Sequence, residues 1–309
     1  LYPKVTISGI EATVIAWIWA RTVICPNPAC VGTMPLVRSF WLGKKKGKER
    51  YVVPIPDGKR VRFEIAGPNG VPREGTVGRT GAICLICGTP VPLSYVRAEG
   101  KAGRMGAQLM AIAAEGKRQR YYVASTEEHE KAADVPRPDD APEAELPEQA
   151  LGFRVQAYGM RTWADLFTNR QLTALTTFSD LVREARERII ADGNDTAYAA
   201  SVTTYLAFGI SKLADRHSTS TNWYVSREST SSTFARQAIS MTWDFVETQP
   251  LLDGTGTFWN AVEWTADVLG STPTAAGGYA TQANAATSPV GGQLVATDPP
   301  YYDLSLIHI

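Results

Sequence analysis

The chain has 309 residues, 44 % of them hydrophobic, and a formal net charge of zero, so it can bury a sizeable core in one large or two ordinary domains. That balance excludes any global argument for a polyanionic partner or a membrane surface, and only the distribution of charge can supply one. The longest apolar stretch near the N-terminus, Ala12 to Ala20, is about half of what spans a bilayer. No basic leader with a cleavage site precedes it, so a soluble, cytoplasmic protein without membrane contact is expected.

Ala12 to Val23 is rich in β-branched and aromatic residues, among them Val14, Ile15, Trp17, Ile18 and Trp19, and its length suits a buried strand. From Cys25 to about Val123 the signals are β-like and turn-rich. Tyr51 to Ile55 and Arg60 to Ile65 flank Pro56-Asp57-Gly58-Lys59, where Asp-Gly favours a tight hairpin turn. Leu109 to Ala114 and Arg120 to Ala124 flank Glu115-Gly116-Lys117, which predicts a second hairpin; a helix over Met105 to Glu115 is the competing reading. Between Arg38 and Arg62 lie Lys44, Lys45, Lys46, Lys48, Arg50, Lys59 and Arg60, opposed only by Glu49 and Asp57. The lysines at 44 to 48 are read either as phosphate contacts or as a solvated loop.

Glu127 to Glu148 reverses the charge, and Pro136 to Pro147 contains four prolines among acidic residues, as in an extended, solvated connector. Beyond it the chain turns helical. Thr168-Asn169-Arg170-Gln171 has the form of a capping box, and Leu172, Leu175, Phe178, Val182, Ala185 and Ile189 recur at helical spacing until Gly193. A second helix is expected after Asp195, burying Tyr198, Val202, Tyr205, Leu206 and Leu213, and a third over Phe258 to Leu269. The Ser/Thr-rich stretch His217 to Thr233, with Trp223 and Tyr224 inside it, reads as exposed polar linkage, with contact to a substrate as the alternative. His129 and His217 show no ligand spacing to the cysteines and are expected at the surface.

All four cysteines fall in two close pairs, Cys25-Pro-Asn-Pro-Ala-Cys30 and Cys84-Leu-Ile-Cys87-Gly88. A short turn between two cysteines delivers two thiolates from one knuckle, and two knuckles complete a tetrahedral zinc site. Gly88 strengthens the second, because the residue after such a turn often takes a left-handed conformation. Two disulfides or four ordinary buried thiols are the alternatives; the first suits secreted proteins and the second does not predict pairing. Four thiolates leave no open coordination position, so zinc here would be structural.

Near the other end, Leu294-Val295-Ala296-Thr297 leads into Asp298-Pro299-Pro300-Tyr301, as a buried strand stopping at a proline-stiffened turn would. Asp298-Pro299-Pro300-Tyr301 resembles the catalytic tetrad of amino-group DNA methyltransferases. The likeness extends through Trp19-Ala20-Arg21-Thr22-Val23, the first cysteine pair, Pro35 to Leu42, Lys101 to Gln108 and Met241-Thr242-Trp243-Asp244-Phe245. In that collinear order the chain resembles the zinc-ribbon-containing adenine-specific DNA methylases of bacteria and archaea.

The resemblance implies transfer of a methyl group from S-adenosylmethionine to N6 of a flipped adenine, DNA as partner, and a place in restriction-modification or phage defence beside other defence-system proteins. Asp298, Pro299, Pro300 and Tyr301 would be catalytic, and Cys25, Cys30, Cys84 and Cys87 would hold structural zinc. Family members are longer and carry a glycine-rich cofactor loop that has no counterpart here, so no residue is assigned to the cofactor. The chain is expected to be an internal fragment, inactive in isolation.

The expected fold class is α+β: a β-rich zinc ribbon plus a helical region, inserted in an incomplete Rossmann-like α/β methyltransferase domain. Residues 1–24 would supply a strand of that domain, 25–124 the zinc ribbon, 125–150 the acidic connector, 151–270 the helical region, and 271–309 a linker and the strand ending in the tetrad. A zinc-ribbon module that binds nucleic acid or another protein without catalysis is the alternative function.

Overall fold

The computed structural model describes residues 1–116, 119–147, 152–235, 238–254, 256–272, 281, 283–284, 287 and 296–297. A short hairpin, β1 (Val5–Ile7) and β2 (Ile10–Ala12), leads into the long strand β3 (Val14–Ile24). β3 is the buried strand that its β-branched and aromatic content predicts; it alternates from Ala16 onward, and a register shift against Ala113–Ala114 brings Val14 to the opposite face from Ala16. Ala16, Ile18 and Ala20 enter one buried cluster, while Val14, Trp17 and Trp19 enter another. Burial on both faces explains why the sequence reads as nearly continuous apolar character.

β4 (Thr33–Leu36) returns antiparallel along residues 21–24 of β3. Next comes a three-stranded meander of β5 (Trp41–Gly43), β6 (Arg50–Asp57) and β7 (Arg60–Ala66). The expected Asp57-Gly58 turn closes β6 on β7, with Asp57 opposite Arg60 and Gly58 at φ 58°. A two-residue pair, β8 (Ala82–Ile83) and β9 (Pro90–Val91), leads to helix α1 (Leu93–Lys101).

β10 (Gly106–Gly116) and β11 (Gln119–Ala124) then form the second expected hairpin. The competing helix loses because Leu109 to Ala114 is buried throughout and pairs with β3 on one side and β11 on the other. Helix α2 (Glu127–Ala133), capped by the Thr126 hydroxyl, follows.

α3 (Asn169–Ala191) starts at the predicted capping box, with Thr168 and Gln171 satisfying each other's backbone amides, and Gly193 follows its end at φ 90°. After α4 (Thr196–Arg216) come the two-residue strands β12 (Trp223–Tyr224) and β13 (Ser229–Thr230), then β14 (Asp244–Thr248) and α5 (Phe258–Ser271). The three long helices pack in chain order. Phe178 stacks on Phe258 at 4.5 Å, and Gly209 leaves room for the same ring.

The main sheet has the order β11-β10-β3-β14, with β4 also on β3. β10 runs along one edge of β3, while β14 (against residues 16–20) and β4 (against 21–24) share the other. The meander covers one face through Phe40, Leu42, Val52, Val61 and Phe63. Tyr2, Val5 and Ala133 pack on the other. The fold is therefore α+β, and every strand pairing among the described residues is antiparallel. No helix among them is long and apolar enough to cross a membrane.

Several expectations need correction. The acidic stretch is not simply an extended, solvated connector: it contains α2, and Ala141 and Leu146 are buried. His129 and His217 are each only 1 % exposed. The Ser/Thr-rich stretch is exposed only in its middle, at Asn222, Tyr224, Ser226 and Arg227; at its two ends Ser218, Thr219, Thr221, Ser231 and Thr233 are buried. Its hydroxyls make this burial tolerable, because they bond to Leu166 O, Val246 O, Asp215 O and one another. On α4, Tyr198 and Tyr205 are exposed, since the stripe that meets α3 and α5 passes through Ala199, Gly209 and Leu213.

Candidate metal centre

Each cysteine pair sits at the tip of an antiparallel strand pair. Ile24 faces Thr33 where β3 meets β4, and the chain between them forms the first knuckle. Its backbone is folded by Asn27: Cys30 N–H and Val31 N–H donate to the Asn27 carbonyl at 2.9 and 3.0 Å, and Ala29 N–H donates to its side-chain oxygen at 3.0 Å. Cys25 N–H closes the loop on Gly32 O at 2.8 Å. A side chain at Gly32 would lie 2.5 Å from the terminal methyl of Ile86, 3.1 Å from Lys59 O and 3.4 Å from Cys30 Sγ, so Ile86 would have to turn aside to admit one.

The second knuckle lies between β8 and β9. Gly88 N–H donates to Cys84 O at 2.9 Å and Cys84 N–H to Thr89 O at 3.0 Å, with Gly88 at φ 74° as expected. Tyr95 on α1 ties the unit to β3 through a 3.0 Å bond from its hydroxyl to Ile24 O.

The two knuckles bring all four sulfurs within 4.8 Å of one another. Cys25 Sγ lies 3.7 Å from Cys87 Sγ, and Cys30 Sγ lies 3.9 Å from Cys84 Sγ. A tetrahedron with metal–sulfur bonds of about 2.3 Å has edges of about 3.8 Å. These two edges therefore fit a tetrahedral ion, and they are too long for disulfides. Four soft donors at that spacing could hold a metal ion and are compatible with zinc, to which a closed shell of thiolates would give a structural role.

The surroundings are asymmetric. Cys25 and Cys84 are 1 % exposed within an apolar cluster with Val23, Met34, Leu36 and Val96, whereas Cys87 is exposed. Burial pushes the Cys25 thiol up to about 12 and raises that of Cys84. Hydrogen bonding with Thr89 brings Cys87 down to about 6. Neighbouring thiolates repel, so ionising the whole set calls for a cation among them. Asn27 Nδ2 also donates to Thr89 Oγ1 at 3.0 Å, which joins the two knuckles outside the sulfurs. The cysteine spacing located the site, but Asn27, Gly32 and Thr89 carried no signal beyond standing beside it.

A buried polar cluster lies on the far side of β3. Arg170, on the first turn of α3, is fully buried and pairs with Glu247 of β14, which also accepts from the Thr168 hydroxyl. The guanidinium lies 4.4 Å from the Trp17 ring centre, and Trp17 Nε1 donates to His129 Nδ1 at 2.8 Å. Burial lowers the pKa of His129, in keeping with a neutral ring as acceptor. Arg21 is held by Thr242 O at 2.8 Å and by Thr219. His217, pushed down to about 4 by burial, donates from Nε2 to Gly256 O at 3.1 Å. These groups lie within the packed interior and join its elements.

No family model, curated protein or solved structure compared with the chain matches it. Asp298, Pro299, Pro300 and Tyr301 lie outside the described residues, as do Leu294 and Val295. Of the expected strand before the tetrad, Ala296 and Thr297 are described; both are exposed and outside any strand. Lys44 to Lys48 are all exposed.

Proposed function

We propose that the chain is a zinc-stabilised part of an adenine-N6 DNA methyltransferase, in which the two knuckles form a zinc ribbon attached to a Rossmann-like catalytic domain. One observation carries the reading: a single chain combines a four-thiolate cluster with the Asp298-Pro299-Pro300-Tyr301 tetrad. Adenine N6 is a poor nucleophile because its lone pair is delocalised into the ring, so transfer depends on positioning and on acceptors for the amino hydrogens. Asp298 would supply a charged acceptor and the Pro299 carbonyl a second, with Pro300 restricting the turn. Tyr301 would stack on the base once it is flipped from the duplex.

S-adenosylmethionine supplies the methyl group when bound; no residue here is assigned to hold it. Zinc belongs to Cys25, Cys30, Cys84 and Cys87 and takes no part in the transfer. Restriction-modification or phage defence in the cytoplasm, together with other defence proteins, is the setting this reading implies. The test is methyl transfer to DNA by the complete protein and by its Asp298→Ala variant, with a loss of at least about hundredfold expected. Retained full activity would remove Asp298 from catalysis.

A second reading, a nucleic-acid-binding module without catalysis, is favoured by one observation. Lys45, Lys46, Lys48, Lys59 and Arg60 are exposed and have no ion-pair partner among the described residues. DNA binding by a complete protein that transfers no methyl group would select it.

A further inference from the structure

Although the whole chain is neutral, residues 44–62 carry eight basic side chains against two acidic ones. The structure gathers this charge at the two ends of one hairpin. We propose that the Lys45–Lys48 turn and the β6–β7 hairpin form a strip that lies along the phosphate backbone of double-stranded DNA, and that the metal centre fixes one end of it. The inference rests on the DNA-directed reading above and names the surface that would serve it.

Both ends are held in place. At the first, Lys48 N–H donates to Lys45 O at 2.8 Å with Gly47 at φ 75°, and Lys44 N–H anchors the turn to Val225 O at 3.2 Å. At the second, Lys59 and Arg60 follow the Asp57-Gly58 turn, and Lys59 O accepts from Thr33 N–H at 2.8 Å. Thr33 follows Gly32, whose added side chain would lie 3.1 Å from that same carbonyl and 3.4 Å from Cys30 Sγ. The second end is therefore clamped to the knuckle.

Between the ends, β6 rises about 3.3 Å per residue, so the two basic groups stand roughly 23 Å apart. Tyr51 and Trp41 lie between them in edge contact at 5.7 Å, and Lys44 Nζ lies 5.1 Å from the Trp41 ring centre. The one recess that Arg60 borders is shared with Glu130 and Asp134, whose carboxylates disfavour a small anion there, and the other exposed cations, without ion-pair partners among the described residues, are spread along the strip. They do match a polyanion with one charge per about 1.7 Å of axis, running along about seven base pairs.

The experiment is fluorescence anisotropy of a labelled random-sequence duplex with the full zinc-loaded chain over a series of salt concentrations. Lys45→Gln/Lys46→Gln/Lys48→Gln is expected to weaken binding at least tenfold at low salt and to reduce the log–log salt slope by about 3. Lys59→Gln/Arg60→Gln should reduce the slope by about 2. Chelating the zinc should weaken binding through the second end alone, so that the lysine-turn variant adds to it and the Lys59/Arg60 variant does not.

Arg183→Gln/Arg186→Gln/Arg188→Gln on α3 is the control and should change nothing; circular dichroism and zinc content verify that each variant is folded. Absence of DNA binding by the parent chain, parent-like binding by both strip variants, or an equal loss in the control would overturn the proposal. Equal binding to anionic phospholipid vesicles would overturn the choice of partner. DNA binding retained without the strip leaves the methyltransferase reading intact, whereas strip-dependent binding without methyl transfer by the complete protein removes that reading and leaves the strip.

Discussion

Around the cysteines, Val23, Cys25, Met34, Leu36, Cys84 and Val96 are at most 2 % exposed, whereas Tyr198, Phe208, Trp259, Trp264 and Val268 on α4 and α5 are between 46 % and 62 % exposed. The first region is closed by links between distant parts of the chain: the paired sulfurs come from positions 54 and 62 residues apart. The second is built from helices that follow one another, and each meets its neighbour along one stripe only. Apolar content alone therefore does not set burial; what matters is how many separate segments converge on a side chain.

Three substitutions break or sharpen that contrast. The largest effect is expected of Cys84→Ser, because a structural zinc site contributes on the order of 10 kcal/mol to the folding of the unit it joins. Metal analysis should fall from about one zinc per chain to none, and the knuckle segments should become protease-sensitive. Since the ligands must be deprotonated, zinc affinity in the parent chain should also fall with falling pH. A variant that keeps its zinc and its protease resistance would show that Cys84 is not a ligand.

Glu247→Ala comes next and tests the joint between the main sheet, which carries the knuckles, and α3, on which α4 packs. It leaves the Arg170 guanidinium buried without its carboxylate, at a cost of about 3–5 kcal/mol. Urea titration followed by tryptophan fluorescence should show an earlier midpoint. Arg170→Met/Glu247→Leu should recover much of the loss, because apolar replacement of a buried pair is often close to neutral. Equal midpoints for Glu247→Ala and the parent would argue that the pair is solvated.

The smallest effect is expected of Trp264→Ser, a loss of about 1–2 kcal/mol, because the ring is only half covered and borders an open recess with Tyr205, Phe208 and Leu269. A loss above about 2 kcal/mol, or one that depends on protein concentration, would mean that the outer face of α5 is covered in solution.

Local signals located much of this architecture. The Asp57-Gly58 turn, the Thr168–Gln171 capping box and the spacing of the cysteines each specify geometry within a few residues, and each is present. What the chain did not reveal depends on distance. Trp17 and His129, 112 positions apart, meet through one hydrogen bond, and neither residue's neighbours announce it. Ser218 to Thr233 has the composition of a surface loop, yet Arg21 and β14 supply partners that bury Thr219 and Thr221. Helical periodicity likewise named Tyr205 as apolar without saying which stripe of α4 would find a partner. The candidate metal centre was the more legible site because its ligands come as pairs.

The shared edge of β3 has a consequence for the order of synthesis. A ribosome delivers β3, β4, β10 and β11 early, so the knuckles can close and one side of the sheet can fill while α3, α4 and α5 are still unmade. The other edge, from Ala16 to Ala20, waits for residues 244–248. Until they arrive, Trp17, Ile18 and Trp19 stand on a strand paired with β10 on one edge and open on the other, the kind of edge that recruits other nascent chains. Production at low temperature or with a chaperone that binds extended apolar segments should therefore raise the soluble yield.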